Sequence, residues 1–182
     1  PESPGTTGGQ RVGRLQGGKL VPYYSRAEID TRGALSGRGL EIAWAKDPVD
    51  VFFLQIQGSG ILKLPDGRRI QVGYAGQNGL PYRSIGRLLI DEGKIPPQEM
   101  SMQRLRRYLA EHPQQRDQIM AYNESYVFFR FLSTGPLGSL EVPVTAGRSI
   151  ATDSRLFPRG ALAFIYSERP VLDGSGRLLA WT

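Results

Sequence analysis

The sequence predicts a mainly β fold with a few helices, an α+β arrangement rather than a helical bundle. Three observations carry this. Glycine and proline are frequent, 23 and 13 among 182 residues, which favours many turns over long helices. Short runs of β-branched and aromatic residues recur between turn signals. Helical spacing with start and stop signals is confined to one brief turn after Ser25 and to residues 84–120.

Residues 1–18 are rich in Gly, Pro, Ser and Thr and form a mobile or extended lead. Residues 20–24 are a short extended run. Ser25-Arg26-Ala27-Glu28 has the form of a capping box, and the glycines at 33, 37 and 39 keep the helix after it short. Residues 40–45 are apolar and are broken by Lys46-Asp47-Pro48. Residues 51–57, Val-Phe-Phe-Leu-Gln-Ile-Gln, have the composition of the clearest strand, whose alternation sets Gln55 and Gln57 on one face. Gly58-Ser59-Gly60 turns the chain, residues 61–64 return, and Pro65-Asp66-Gly67 is a second turn. Residues 69–75 complete a three-stranded meander.

That meander delivers the chain into residues 73–86, Gly-Tyr-Ala-Gly-Gln-Asn-Gly-Leu-Pro-Tyr-Arg-Ser-Ile-Gly. Glycines allow close approach to a ligand, and proline fixes part of the backbone. The side chains among them, Tyr74, Gln77, Asn78, Tyr82, Arg83 and Ser84, suit hydroxyl-rich or planar groups. Ser84 then caps a helix closed by Gly93, and Ile95-Pro96-Pro97 is a rigid connector. Ser101 caps a second helix with an amphipathic stripe of Met102, Leu105, Tyr108 and Leu109. A third helix around 115–120 and a strand at 126–132 follow. Gly135-Pro136-Leu137-Gly138 reads as a hinge. Beyond it, strands are expected at 140–144, 148–151, 161–166 and 177–181, the last opened by a turn at 173–176.

Composition excludes several chemistries. With no cysteine there are no disulfides, thiolate metal sites or cysteine nucleophiles. The one histidine, His112, stands before Pro113 at a helix end and leaves a histidine metal site or a Ser-His-Asp triad little to work with. No cofactor or metal pattern appears. No apolar run approaches the ~18 residues of a membrane span, and no targeting signal is visible. The chain begins at Pro1 without a methionine and reads as a processed or excised piece. The net charge of +6 raises the question of a polyanionic partner. Only Lys19, Lys46, Lys63 and Lys94 are lysines, so 19 of the 23 basic residues are arginine. They are scattered, the densest group being Arg104, Arg106 and Arg107 on a helix. No nucleic-acid motif accompanies them, so no nucleic acid is expected, and an anionic cell-wall polymer suits the charge.

Acid–base chemistry needs a carboxyl group whose surroundings tune it. Candidates are Asp50, Asp66, Glu124, Asp153 and Asp173. Asp66 and Asp173 belong to turns and Asp50 to the start of its element, which leaves Asp153 foremost. No paired-carboxylate spacing stands out. The residues alone stop at a glycine-rich β domain with a polar, aromatic groove.

A resemblance goes further. Asp47-Pro48-Val49-Asp50-Val51-Phe52-Phe53-Leu54-Gln55-Ile56-Gln57-Gly58-Ser59-Gly60 resembles the signature of the MltA family of lytic murein transglycosylases. Gly73-Tyr74-Ala75-Gly76-Gln77-Asn78-Gly79, Tyr82-Arg83-Ser84-Ile85-Gly86, Met100-Ser101-Met102-Gln103 and Asn123-Glu124-Ser125-Tyr126-Val127-Phe128-Phe129 match it in the same order. Val142-Pro143 through Asp153, with Pro158-Arg159-Gly160, resembles the start of the family's three-aspartate segment.

The resemblance implies an inserted, β-barrel-like domain at 19–134, after a flexible lead at 1–18, and part of a double-psi β-barrel at 135–182, with a groove between the two. It implies non-hydrolytic cleavage of the β-1,4 bond between N-acetylmuramic acid and N-acetylglucosamine, leaving a 1,6-anhydromuramyl end. The glycan would be held by Gln55, Gln57, Ser59, Tyr74, Gln77, Asn78, Tyr82, Arg83 and Ser84, with Asp153 in support. The family's catalytic aspartate follows the strand at 178–181, so it is expected beyond Thr182 and no catalytic residue is assigned within this chain. No cofactor is implied. The expected setting is a periplasmic monomer associated with the outer membrane, with peptidoglycan strands as substrate and other cell-wall proteins as candidate partners. The alternative is a module or scaffold that binds peptidoglycan without cutting it.

Overall fold

The run expected as the strongest strand is a helix. In the computed structural model, which describes residues 12–181 apart from 134, 139, 141, 154, 159, 169 and 174–177, α1 spans Pro48–Gln57. Its ends explain the difference. Asp47 is the N-cap and accepts the Val49 amide at 2.9 Å, Pro48 occupies the first turn, and Gly58 closes the helix at φ 75°, where a side chain would be strained. Val49, Phe52 and Phe53 fall at i, i+3 and i+4 and are buried together. Aromatic and β-branched composition suggested a strand, but three end signals outweighed it. The change separates the two glutamines: a two-residue step turns a helix by about 200°, so Gln55 is buried while Gln57 is exposed.

Two compact units, Pro1–Pro136 and Leu137–Thr182, divide the chain. The first is α+β. A hairpin of β1 (Arg14–Gln16) and β2 (Lys19–Val21) comes first, so residues 14–16 of the expected lead are a paired strand. A π-helical turn follows at Ala27–Thr31. The capping box before it is formed as expected, with the Ser25 amide and hydroxyl donating to Glu28 Oε2 at 2.8 and 2.9 Å. After α1 come β3 (Ser59–Lys63) and β4 (Arg69–Gln77), an antiparallel pair. Next are α2 (Ile85–Asp91), a 3-10 turn (Pro97–Glu99), α3 (Met102–Glu111), α4 (Pro113–Ala121) and β5 (Val127–Leu132). Ser84 and Ser101 cap α2 and α3 by accepting the Arg87 and Arg104 amides at 3.2 and 3.1 Å. The sheet order is β3-β4-β5, with β4 central. The described strands form open sheets and close no barrel.

The core lies among the helices. Phe52 and Phe53 of α1 pack with Ile85 and Leu89 of α2, Leu109 of α3 and Met120 of α4, around Ile95 of the connector. Full burial of each such side chain stabilises the fold by about 1.5–3 kcal/mol. His112 ends α3, its ring stacked on Tyr108 at 4.1 Å and its Nδ1 2.9 Å from the Tyr108 carbonyl oxygen, which is a helix-end role.

A buried polar cluster ties these helices to the sheet. Arg26 is 3% exposed. Its Nε donates to the Asn123 carbonyl at 2.9 Å, one Nη to Ser125 O at 2.6 Å, and the other to Gln55 Oε1. Its guanidinium carbon lies 4.7 Å from the Phe52 ring and 5.2 Å from the Tyr126 ring. Gln55 Nε2 passes the connection on to the Val127 carbonyl at 3.3 Å, at the start of β5. Burial, with Asp30 close by, pushes the Tyr126 hydroxyl up to about 12.

In the second unit, β6 (Pro170–Leu172) and β7 (Leu178–Trp181) form an antiparallel hairpin, matching the last expected strand. Most of its expected turn, 174–176, lies outside the described residues. The strands expected at 140–144, 148–151 and 161–166 are not formed among the described residues, apart from one bridge between Leu137 and Pro143. Apolar residues make a strand only with a hydrogen-bonded neighbour, and beyond that bridge and the Gly138 amide bond to the Val142 carbonyl at 2.9 Å no ladder forms on these segments among the described residues.

Two outcomes test the buried cluster. Arg26→Met leaves four acceptors unpaired, the fourth being the Asp30 carboxylate at 3.5 Å, and lowers stability by about 3–5 kcal/mol in urea unfolding; a loss below ~1 kcal/mol would count against it. Because the folded pKa of Tyr126 is raised, the stability it contributes is fully present below its ordinary value of 10.0 and is lost as pH rises towards about 12. Unfolding measured across pH 10 to 12 therefore shows a decline that Tyr126→Phe reduces.

Candidate functional site

The first five residues of the 73–86 stretch are strand, since β4 runs to Gln77, and the loop proper is 78–84. Ser59, at the start of β3, sits across from Gly73. Gln57 ends α1 two residues before it, so the two polar clusters of the sequence converge beside Tyr74. Opposite β5 the register slips: Tyr74 faces Phe129 and Gly76 faces Phe128, with Ala75 the extra residue. Successive strand residues ordinarily face opposite ways, but this bulge leaves both Tyr74 and Ala75 exposed.

Beyond Gln77 the loop is pinned from inside. Asn78 is 1% exposed. Its Nδ2 donates to the carbonyls of Tyr24 at 2.9 Å and Glu124 at 2.8 Å, and its Oδ1 accepts from the amides of Tyr126 at 2.9 Å and Leu80 at 3.3 Å. Both donors and both acceptor positions are thereby used. Gly79 follows at φ 76°, and a Cβ there would lie 2.8 Å from the Val12 Cβ, so the position demands glycine. The Arg83 amide donates to Asn123 Oδ1 at 3.1 Å. Its guanidinium stands 3.3 Å from Glu124 Oε2 and 5.8 Å from the centre of the Tyr122 ring.

The site residues expected from sequence therefore divide by position. Gln55, Asn78 and Ser84 spend their polar atoms on the protein, the first two buried and the third as a helix cap. Gln57, Tyr74 and Tyr82 are exposed, Ser59 and Gln77 are half-buried, and the Arg83 side chain is half-exposed beside Glu124. Asp153 belongs to the second unit and pairs with Arg155 at 2.7 Å. Hydrogen bonds from the Arg155 side chain and amide hold its carboxyl down at about 2. Two further residues prove central: Arg26, inside the capping box, and Asn123, within the motif at 123–129. Asn123 is 1% exposed, and its Oδ1 fastens both Arg83 and the Ser125 amide, at 3.1 and 3.3 Å. A charged residue between two capping residues was the one available signal for Arg26.

The arrangement offers rings for packing, amides and a guanidinium for hydroxyl or acetamido groups, and a rigid floor. Among the described residues no cluster of three His, Asp or Glu side chains is placed to hold a metal.

Comparison with known proteins places this geometry. A family model described as the MltA specific insert domain matches residues 2–130. Membrane-bound lytic murein transglycosylase A of Escherichia coli K12 is 37% identical over 156 residues, 84% of this chain and 42% of that protein. The protein of the same name from Vibrio cholerae is 34% identical over 155 residues, 84% and 41% of the two. The crystal structure of a membrane-bound lytic murein transglycosylase from Agrobacterium tumefaciens matches with a TM-score of 0.70 at 42% identity, covering 75% of this chain and 38% of that one. That of E. coli MltA with bound chitohexaose gives 0.69 at 33% identity, covering 92% and 52%. The chain spans about two fifths of the length of the curated relatives it matches. On the family model and these identities together, the chain belongs to the MltA family.

Proposed function

We propose that this chain supplies the glycan-holding surface of a peptidoglycan lytic transglycosylase. The observation that carries the reading is the pairing of Ser59 with Gly73, which gathers Gln57, Ser59 and Tyr74 on a floor braced by Asn78 and Asn123. Support comes from a relative crystallised with chitohexaose, a chain of N-acetylglucosamine units. Tyr74 and Tyr82 pack on sugar faces, while Gln57, Gln77, Ser59 and Arg83 meet hydroxyl, acetamido or carboxylate groups. Gln55 and Asn78 act as positioning residues beneath that surface, and Ser84 as the exposed cap of α2 beside it.

The reaction is cleavage of the bond between N-acetylmuramic acid and N-acetylglucosamine. The muramyl C6 hydroxyl attacks its own anomeric carbon, its proton leaves, and the departing glucosamine oxygen gains one. No water is consumed, so one carboxyl group can act first as acid and then as base, unlike the paired carboxylates of hydrolytic glycosidases. A proton donor must hold its proton near the working pH. Asp50, Asp66, Glu124 and Asp153 are each ion-paired, with Arg106, Arg68, Arg83 and Arg155, and Asp153 titrates at about 2. Burial raises Asp30, but it is engaged by Arg26 at 3.5 Å. The role assigned to this chain is binding, in a protein at the outer membrane, consistent with relatives named membrane-bound.

Titration with chitohexaose tests the reading. Tyr82→Ala weakens binding by about fivefold, the ~1 kcal/mol of one ring contact, and Gln57→Ala with Arg83→Ala abolishes measurable binding. Equal affinity in the double variant and the wild type would sink the assignment. Incubating the complete protein with purified peptidoglycan releases anhydromuropeptides if it cuts, and leaves the polymer intact if it is a binding module.

A further inference from the structure

The arginine cluster of α3 has no part in the glycan surface. Arg106 and Arg107 instead line an open surface hollow of about 560 Å³. Lys46 and Asp47, at the start of α1, and Arg116, in α4, complete its charged lining. The compensation of these charges is uneven. Arg106 pairs with Asp50, and Arg116 with Asp117 at 2.8 Å, neither carboxylate belonging to the lining. Asp47 is engaged as the N-cap of α1. Lys46 and Arg107 are both exposed, and among the described residues no carboxylate lies within 4.0 Å of either. Two uncompensated cations thus face one hollow, where they repel each other unless an anion joins them.

We infer that this cavity binds a phosphate monoester, through Lys46 and Arg107. At neutral pH such a group carries between one and a half and two negative charges, which matches the two free cations. Its oxygens suit the ammonium as a point charge and the guanidinium as a fork. The rest of the lining, including Val49, Leu109 and Pro113, is apolar, and the hollow has room for the carbon skeleton that a monoester carries. The cavity lies at the N-terminal end of α1, about 14 Å along the helix from Gln57, so occupancy is independent of the glycan surface.

Two probes share this chemistry: glucose 6-phosphate, and vesicles of phosphatidic acid in phosphatidylcholine. Calorimetry with the first and co-sedimentation with the second, on the full chain, give saturable binding by at least one. Lys46→Gln with Arg107→Gln weakens it tenfold or more and leaves the melting temperature and chitohexaose affinity unchanged. Arg87→Gln, an exposed arginine outside the cavity, has no effect. Binding of glucose 6-phosphate supports the site and identifies a soluble ligand; binding confined to vesicles supports it and identifies a lipid headgroup. Failure of both probes, equal binding of unphosphorylated glucose, or the same loss in Arg87→Gln as in the double variant overturns the proposal.

Discussion

The Arg26 guanidinium, sealed from solvent, binds Asn123, Ser125 and Gln55 at once. Withdrawing a cation from water costs several kcal/mol, and only fixed acceptors on several sides make the burial tolerable. Here the acceptors come from α1 and from the turn that leads into β5. The same turn receives Asn78 through the carbonyl of Glu124 and the amide of Tyr126, and Arg83 through Asn123. Residues 123–127 are therefore a spine on which α1, the 78–84 loop and β5 all depend. If that spine shifted, the polar contacts that pin the 78–84 loop would shift with it.

This organisation separates two kinds of polar residue. Amides below the surface have no free donor or acceptor to offer a ligand, yet they hold exposed rings and side chains in place. A surface preorganised in this way would lose little conformational freedom on meeting a ligand. The bulge at Ala75 adds to the effect by turning Tyr74 outward from a strand that is otherwise paired on both sides. Family membership and local geometry are both compatible with the proposed holding role.

Local signals were legible in the sequence. Ser25 with Glu28, Ser84 and Ser101 act within three residues, and each cap is formed. The error at 51–57 arose where composition and end signals disagreed, and the ends decided. Burial was not legible, because it depends on distant partners. Asn78 meets Tyr24 and Glu124 across 54 and 46 positions, and Arg26 meets Asn123 and Ser125 across 97 and 99. Gln55 looked like a ligand-binding amide for the same reason: its chemistry is correct, but the helix turns it inward. The strands expected between 140 and 166 have apolar composition, but among the described residues they find no partner beyond the Leu137–Pro143 bridge.

β4 and β5 are partners in the sheet, yet Gln77 and Val127, at one end of their ladder, stand 50 residues apart. α2, α3 and α4 all lie inside that excursion. Closing so long a loop carries an entropic cost before any ladder hydrogen bond forms, unless the helices have already drawn its ends together. A helical core that condenses first would shorten that excursion and lower the cost of registering β5 on β4. Tyr74 sits on the strand that this step pairs, and Tyr82 on the loop that Asn78 locks. A chain with its helices formed and its sheet unpaired would show ample helical signal while Tyr74 and Tyr82 lacked a fixed setting.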